Sequence, residues 1–332
     1  MTNPKVSIII PTYNVDKYLQ QCLDSLSKQT YGNFEVIIII DGATDHSYEI
    51  AKRHCEKDDR FKVFWQENAG SGPARNHGLE KATGELIMFV DPDDWCDNDY
   101  VKSMVRIQQQ GDYDLVTTCS LSIFFGKNGK IKKTEKRSFE EEHIKGLRRV
   151  REDYLKLYKA GAVSGPHRKM YKASIINQYG VRFPDLRRSQ DIVFNYRYYN
   201  YVSSVYVSNY SGYMYRVLIK ERANRIKVDY YKTIELIYND IIELYKKWNI
   251  PVEDHILSTE MYDMVYCYCE SCINRNENIV PAISNVTIQH ILQNARPTKW
   301  HLKKVRKYLL AGNYSLASIV IRLAFFAKNL LM

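Results

Sequence analysis

No run of about 20 apolar residues without a charge occurs in the 332 residues of this chain, which speaks against a membrane-spanning helix. No dense lysine and arginine stripe with stacking aromatics is present either, which speaks against a nucleic-acid partner. No internal repeat is visible. Met1 to Lys5 lead straight into an apolar strand with no signal peptide ahead of it, so export is not expected. Cysteine is sparse. The seven thiols are an odd number, which predicts reduced cysteines in a cytoplasmic protein. Cys267, Cys269 and Cys272 are close, but one helix cannot present i, i+2 and i+5 as a zinc-type cluster without a fourth ligand.

The length allows one α/β domain of ordinary size plus a smaller appendage. Charge divides the chain. Residues 1 to 100 hold 10 basic and 17 acidic side chains, a net −7, while the remaining 232 hold 38 and 21, a net +17. An acidic N-terminal part that binds an anion needs a metal ion as mediator, and the basic remainder suits an anionic acceptor or a membrane surface.

Two short apolar runs, Val6 to Ile10 and Phe34 to Ile40, read as buried parallel strands, ended by Pro11 and by Asp41-Gly42. Helical spacing lies between them, from Asp16 to Gln29. The alternation continues with a helix from Thr44 to Lys57, a strand at Phe61 to Trp65, a helix at Ala74 to Lys81 and a strand at Glu85 to Val90. This predicts a parallel sheet with helices on both faces, which binds ligands at the carboxyl ends of its strands. Asp114 to Thr118 reads as a further strand, and Gly126 to Glu142 as a hairpin or mobile loop turning at Asn128-Gly129. Helices are expected over Gly146 to Lys159 and Asp191 to Tyr201, and a strand within Val202 to Val217. From Val228 onward the pattern is wholly helical, with segments at Tyr230 to Trp248, Asp254 to Asn274, Thr287 to Asn294 and Leu302 to the end.

The strand-end loops carry the chemistry. Asp91-Pro92-Asp93-Asp94 puts three carboxylates in four positions. Such charges raise one another's pKa unless a cation joins them, and Mg2+ or Mn2+ would do so while its open positions take diphosphate oxygens. The plain alternative is an acidic turn capping the next helix. Asp41 stands where it could accept from the N3–H of a uracil, with Thr44 or Asp45 capping the helix that follows. Gln66 to Asn76 is a glycine-containing loop entering a helix, where backbone can approach a ligand, the helix N-terminus favours anions, and Arg75 can pair with a base or phosphate.

Taken together, Val6 to Asn14, Ser25 to Thr30, Asp41 to Asp45, Asn68 to Gly78 and Asp91 to Trp95 resemble, in order and spacing, a bacterial family 2 glycosyltransferase of the GT-A fold. The resemblance implies an α/β fold with a mostly parallel, Rossmann-like sheet flanked by helices and a helical C-terminal region. It implies inverting transfer from a UDP-sugar to a hydroxyl of a saccharide or lipid-linked saccharide, in the synthesis of a bacterial surface polysaccharide or glycoconjugate. Pro11, Thr12, Tyr13, Asp41, Asn68 and Arg75 would line the uridine pocket, Asp91 would hold ribose, and Asp93 and Asp94 the Mn2+ or Mg2+. Phe183-Pro184 followed by Arg188 to Phe194 resembles the family's Glu-Asp motif, with Gln190 in place of the Glu and Asp191 as the general base. As N-cap of the helix behind it, Asp191 would serve either role. Tyr215-Arg216 resembles the family's Tyr-Arg pair, but Val217 to Asn224 replaces the serine-containing segment expected after it. Relatives often carry a second Asp at the Ile40 position. His167 could touch metal or acceptor, or be a buried structural histidine.

The expected organisation is a catalytic domain over 1–220, split into a nucleotide-sugar half (1–99) and an acceptor half (100–220), and a helical region over 221–332. Leu316, Ile319, Val320, Leu323, Ala327 and Leu330 recur at helical spacing behind a basic run from Lys299 to Lys307, as in a helix that lies on an anionic membrane or packs on a neighbouring subunit or its own domain. The enzyme is therefore expected in the cytoplasm or peripherally at the inner face of the cell membrane, and a homo-oligomer is compatible with it. Two rivals are a catalytically inactive GT-A-like binding or assembly subunit, suggested by Gln190, and a nucleotidyltransferase. The latter would show a glycine-rich, basic triphosphate loop after the first strand, where this chain has Pro11 to Asn14.

Overall fold

The computed structural model describes residues 3–126, 129–217 and 226–330, without the side chains of 328–330. The chain forms two compact units, Met1–Ile219 and Lys220–Met332. In the first, β1 (Val6–Thr12), α1 (Asp16–Ser27), β2 (Phe34–Asp41), α2 (Ser47–Cys55), β3 (Phe61–Gln66), α3 (Ser71–Lys81) and β4 (Leu86–Phe89) alternate as the apolar periodicity predicts. β1 and β2 are buried along their whole length, because helices cover both faces of a parallel sheet. β1 runs two residues beyond Ile10, where the expected strand ended, and takes in Pro11. Its register with β4 ends at Ile9, so on that side no partner strand asks Pro11 for the N–H it lacks.

The rest of this unit completes the sheet and adds a second one. β5 (Trp95–Cys96) and α4 (Tyr100–Gln109) lead to β6 (Leu115–Thr117), β7 (Ser120–Phe125), β8 (Ile131–Arg137) and β9 (Glu142–Lys145). After them come α5 (Leu147–Glu152), α6 (Tyr154–Ala160), β10 (Lys169–Lys172), α7 (Ala173–Gln178), α8 (Gln190–Tyr199), β11 (Ser204–Val207) and β12 (Tyr213–Val217). The large sheet has the order β3-β2-β1-β4-β10-β6-β11-β9, and a second sheet has β5-β12-β7-β8. The large sheet is mostly parallel; β10 and β9 pair antiparallel.

One alternative is decided here and two expectations are corrected. Of the two readings of Gly126 to Glu142 the hairpin holds, with β7 and β8 paired antiparallel, and Asn128 of the proposed turn lies outside the described residues. The strand expected over Val202 to Val217 is two strands in different sheets, β11 and β12. The helix expected over Gly146 to Lys159 breaks at Asp153 into α5 and α6.

The second unit is helical: α9 (Tyr230–Trp248), α10 (Asp254–Asn274), α11 (Val280–Ile283), α12 (Val286–Asn294), α13 (Trp300–Leu310) and α14 (Tyr314–Leu330). α9 buries Ile234, Ile237, Ile241, Leu244 and Trp248, and α10 buries Leu257, Met261, Val265 and Cys272, the stripes that helical spacing requires of core-facing helices. The last expected helix is two, because Gly312 takes φ +67° between α13 and α14. Cys269 and Cys272, at Cys-x-x-Cys spacing on α10, are free thiols whose pKa values burial raises. Among the described residues no helix is long and apolar enough to cross a membrane.

Candidate functional site

The carboxyl ends of β1, β2 and β3 are laced into one wall. Asp41, at the end of β2, is 2% exposed. Its Oδ1 accepts from the Ala69 N–H at 2.9 Å and the Gln66 amide at 2.8 Å, and its Oδ2 from the Gly70 N–H at 2.8 Å. Asn68 donates to the Asp41 carbonyl at 3.0 Å. Gly42 is required beside it, with φ +66° and room for no Cβ, which would come within 2.7 Å of the Asn68 nitrogen. Asn14 accepts from the Thr44 N–H at 2.8 Å, and Asp45 from the Asp16 and Ser47 N–H groups at 2.9 and 3.0 Å. The residues expected to touch the nucleoside therefore differ in access. Pro11, Thr12 and Asp41 are buried and shape the wall, whereas Tyr13 and Asn68 are exposed on it.

The acidic turn after β4 gives its three carboxylates three different environments. Asp91 faces Arg75, whose Nη2 donates to Oδ1 at 2.8 Å, and His167, whose Nδ1 lies 3.4 Å from Oδ2. Burial would raise the Asp91 carboxyl, but His167 and Arg75 outweigh it and hold the group well below the usual carboxylate range. Burial also pushes His167 down, against the pull of Asp91, so at pH 7 the lasting charge opposite Asp91 is the guanidinium. Arg75, expected to reach a base or phosphate, is thus spent in part on Asp91, with Phe183 beneath its guanidinium at 5.5 Å.

Asp94, the second carboxylate expected to hold the metal, is tied to β12. It is 1% exposed. Its Oδ2 accepts from the Tyr213 hydroxyl at 2.8 Å and its Oδ1 from the Arg216 N–H at 2.7 Å. Burial and the charges of Asp91 and Asp93 push it far up. These two bonds bolt β12 to the acidic turn. Asp93 is pushed up to about 6 by burial and by the Asp91 charge, which means that its ionised form lacks compensation from the protein.

Mg2+ and its like take oxygen ligands and are usually held by one or two carboxylates, the rest coming from phosphates and water. Among the described residues no group of three or more His, Cys, Asp or Glu side chains is arranged to hold a metal ion. One or two carboxylates, such as those of Asp93 and Asp94, would suffice for a cation that arrives with a diphosphate.

Facing this turn is the start of α8. The helix begins one residue earlier than expected, at Gln190 with Ser189 as N-cap, so Asp191 lies in the first turn and is not the cap. Gln190 donates to the Ser71 hydroxyl at 2.6 Å, joining the N-termini of α8 and α3. Gly72 permits that approach: a Cβ there would lie 3.1 Å from the Pro184 carbonyl and 3.3 Å from Gln190 Cγ. Asp191 is half-buried. Three buried polar atoms here have no hydrogen-bond partner: Arg75 Nε, His167 Nδ1, whose approach to Asp91 lacks hydrogen-bond geometry, and Gln190 Oε1. Such atoms are costly unless something else satisfies them.

Sequence reasoning passed over Tyr213, whose hydroxyl donates to Asp94 while accepting from the Asp91 N–H at 3.1 Å. Its only signal was alternation with Tyr215. Arg216 has a larger part than the sequence suggests. Its guanidinium lies 4.7 to 4.8 Å from the rings of Tyr18, Trp95 and Phe125, and its Nε donates to the Asp93 carbonyl at 2.7 Å. The segment 218–224, where the family's serine-containing stretch is replaced, lies outside the described residues.

Comparison with known proteins bears on the family and the fold. The family model Glycosyl transferase family 2 matches residues 7–180, more than half of the chain. EpsH of Bacillus subtilis (strain 168) is 32% identical over 260 residues, covering 74% of this chain and 73% of EpsH. The structure of S. aureus TarS 1-349 in complex with UDP-GlcNAc superposes with a TM-score of 0.63 at 22% identity, covering 96% of this chain and 90% of that one. The mannosyltransferase PcManGT from Pyrobaculum calidifontis, in complex with GDP-Man and Mn2+, has a TM-score of 0.54 at 16% identity, with 97% and 87% covered. These two likenesses bear on fold. The family match and the EpsH alignment go further, and on their strength the chain belongs to glycosyl transferase family 2 and is a glycosyltransferase.

Proposed function

We propose that the protein moves a sugar from a UDP-sugar to a hydroxyl of a saccharide or lipid-linked saccharide, with inversion, in the synthesis of a bacterial surface polysaccharide or glycoconjugate. The observation that carries this reading is the convergence of an uncompensated Asp93, the Asp91–Arg75 pair and the start of α8 at one end of the parallel strands. TarS, which shares the fold, was crystallised with UDP-GlcNAc, and PcManGT with Mn2+, which supports the choice of donor class and ion type.

In this reading Tyr13 and Asn68 contact the nucleoside on a wall that Asp41 holds in shape, and Asp91, kept ionised by Arg75, accepts from a ribose hydroxyl. Asp93 holds a divalent cation of the Mg2+ or Mn2+ class, which when bound would neutralise the diphosphate as a leaving group. Asp191 takes the proton of the acceptor hydroxyl as its oxygen bonds to the anomeric carbon, and the bond from that carbon to the diphosphate oxygen breaks on the opposite face. UDP departs with the electron pair, and one displacement inverts the centre.

Many transferases pass their sugar slowly to water, so the test is hydrolysis of a set of UDP-sugars with Mn2+ or EDTA present. Mn2+-dependent release of UDP is expected. No UDP release and no UDP binding would favour the non-catalytic assembly subunit.

A further inference from the structure

We propose that the C-terminal unit docks on an anionic membrane surface through α13 and α14. The inference goes beyond the transfer reaction and does not rest on it. After Glu277 the sequence contains no acidic residue through Met332, yet eight lysines and arginines fall in those 55 positions, five of them between Lys299 and Lys307. α13 packs against α14 and buries Leu302, Val305 and Leu309, while α14 buries Ala317 and Ile321. Leu316, Ile319, Leu323 and Phe326, three and four residues apart, are left 39, 52, 59 and 64% exposed. Trp300 is exposed at the start of α13, with the Lys304 amine 5.6 Å above its ring. A depression of about 420 Å³ where α12 meets α13 is lined in part by Arg296, Lys303 and Arg306, a charge set that suits a phosphate headgroup.

An apolar stripe beside concentrated positive charge and an exposed tryptophan is what lies flat in a lipid interface, the stripe in the acyl boundary and the lysines at the headgroups. A second copy fits the same face less well. The four side chains expose roughly 400 Å², against ~800 Å² per partner in a stable interface. They span 11 residues, less than two heptads, where a coiled coil needs three or four, and two such faces would bring like charges together. Nucleic acid suits the lysines but leaves the aliphatic stripe uncovered.

The test is flotation of the full chain with phosphatidylcholine vesicles, with and without phosphatidylglycerol, at low and high salt. Binding is expected to the anionic vesicles only and to weaken with salt. Leu323→Asp with Phe326→Asp should lower it at least about tenfold. Lys303→Gln with Lys307→Gln, two exposed changes that leave the helix hairpin's buried face intact, should lower it by about 30-fold. Unchanged helical circular dichroism and an unchanged thermal melt in both variants control for folding. Equal binding to neutral and anionic vesicles, or none to either, overturns the proposal. So does a dimer in solution that the double Asp variant dissolves, which assigns the stripe to a second copy. Binding to single-stranded nucleic acid as tight as to anionic vesicles assigns the charge elsewhere and also overturns it.

Discussion

The two sides of the site treat polar groups in opposite ways. On the strand-end wall, Asp41, Asp45 and Asp94 have their oxygens occupied by protein donors, so the wall is built before any ligand arrives. Toward α8, Gln190 Oε1 and His167 Nδ1 are buried without a partner, and Asp191 is half-buried in the first turn of its helix. The difference teaches that aspartates close in sequence cannot be read as one functional cluster. Asp94 stabilises, Asp93 is destabilised, and Asp91 is held ionised by Arg75, all within four positions. Preorganised polar walls of this kind spare a transferase the cost of arranging donors during reaction.

The largest expected effect lies on the α8 side. Asp191→Asn keeps shape but cannot take a proton at neutral pH, so the transfer rate should fall by ~10² to 10⁴ with UDP affinity nearly unchanged. Kinetics with the true acceptor and calorimetric titration of UDP read the two quantities. A retained rate would send the search for a base to His167. Next is the acidic turn: Asp93→Ala should mimic EDTA and weaken UDP binding by about 10- to 100-fold. Equal UDP affinity with Mn2+ and with EDTA in the unaltered protein would remove the metal from the site.

Stability should separate the neighbours by sign. Asp94→Ala strands the Tyr213 hydroxyl and the Arg216 N–H and should cost about 2 kcal/mol. Asp93→Asn, without metal or donor, should gain about 1 kcal/mol at pH 7 by removing an uncompensated charge. Denaturant melts of the two variants decide this, and a loss in both would return Asp93 to a structural role.

The pH dependence follows from the same carboxyl. Its folded pKa, about 6, lies above the ordinary carboxylate value, so the native chain holds that proton more tightly. Metal-free stability attributable to Asp93 should fall as pH rises from about 4 to about 6 and then level. Metal-dependent UDP affinity runs the other way and should drop about tenfold per pH unit below about 6. A UDP affinity that is flat between pH 5 and 7 would exclude Asp93 as the ligand. The smallest effect is expected of Gln190→Glu. Transfer should stay within about threefold, with its optimum moved to higher pH as the added charge raises Asp191.

Much of this fold was legible in the sequence because it is written in short-range periodicity. Apolar runs such as Val6 to Ile10 and Phe34 to Ile40 can only be buried strands, and α9 and α10 lie where the helical stripes put them. Loop composition also marked the strand ends as the place for ligands. Neither β10, squeezed antiparallel between β4 and β6, nor the passage from β11 to β12 between two sheets was legible, because short strands take their partners from residues distant in the chain. The same holds for the roles within Asp91 to Asp94. The sequence determined that three carboxylates would crowd one turn. Only tertiary structure decided which would face Arg75, which would receive Tyr213 and Arg216 from more than a hundred residues away, and which would be pushed up by burial beside Asp91. Those assignments depend on burial and on the direction of individual oxygens, and neither is encoded locally.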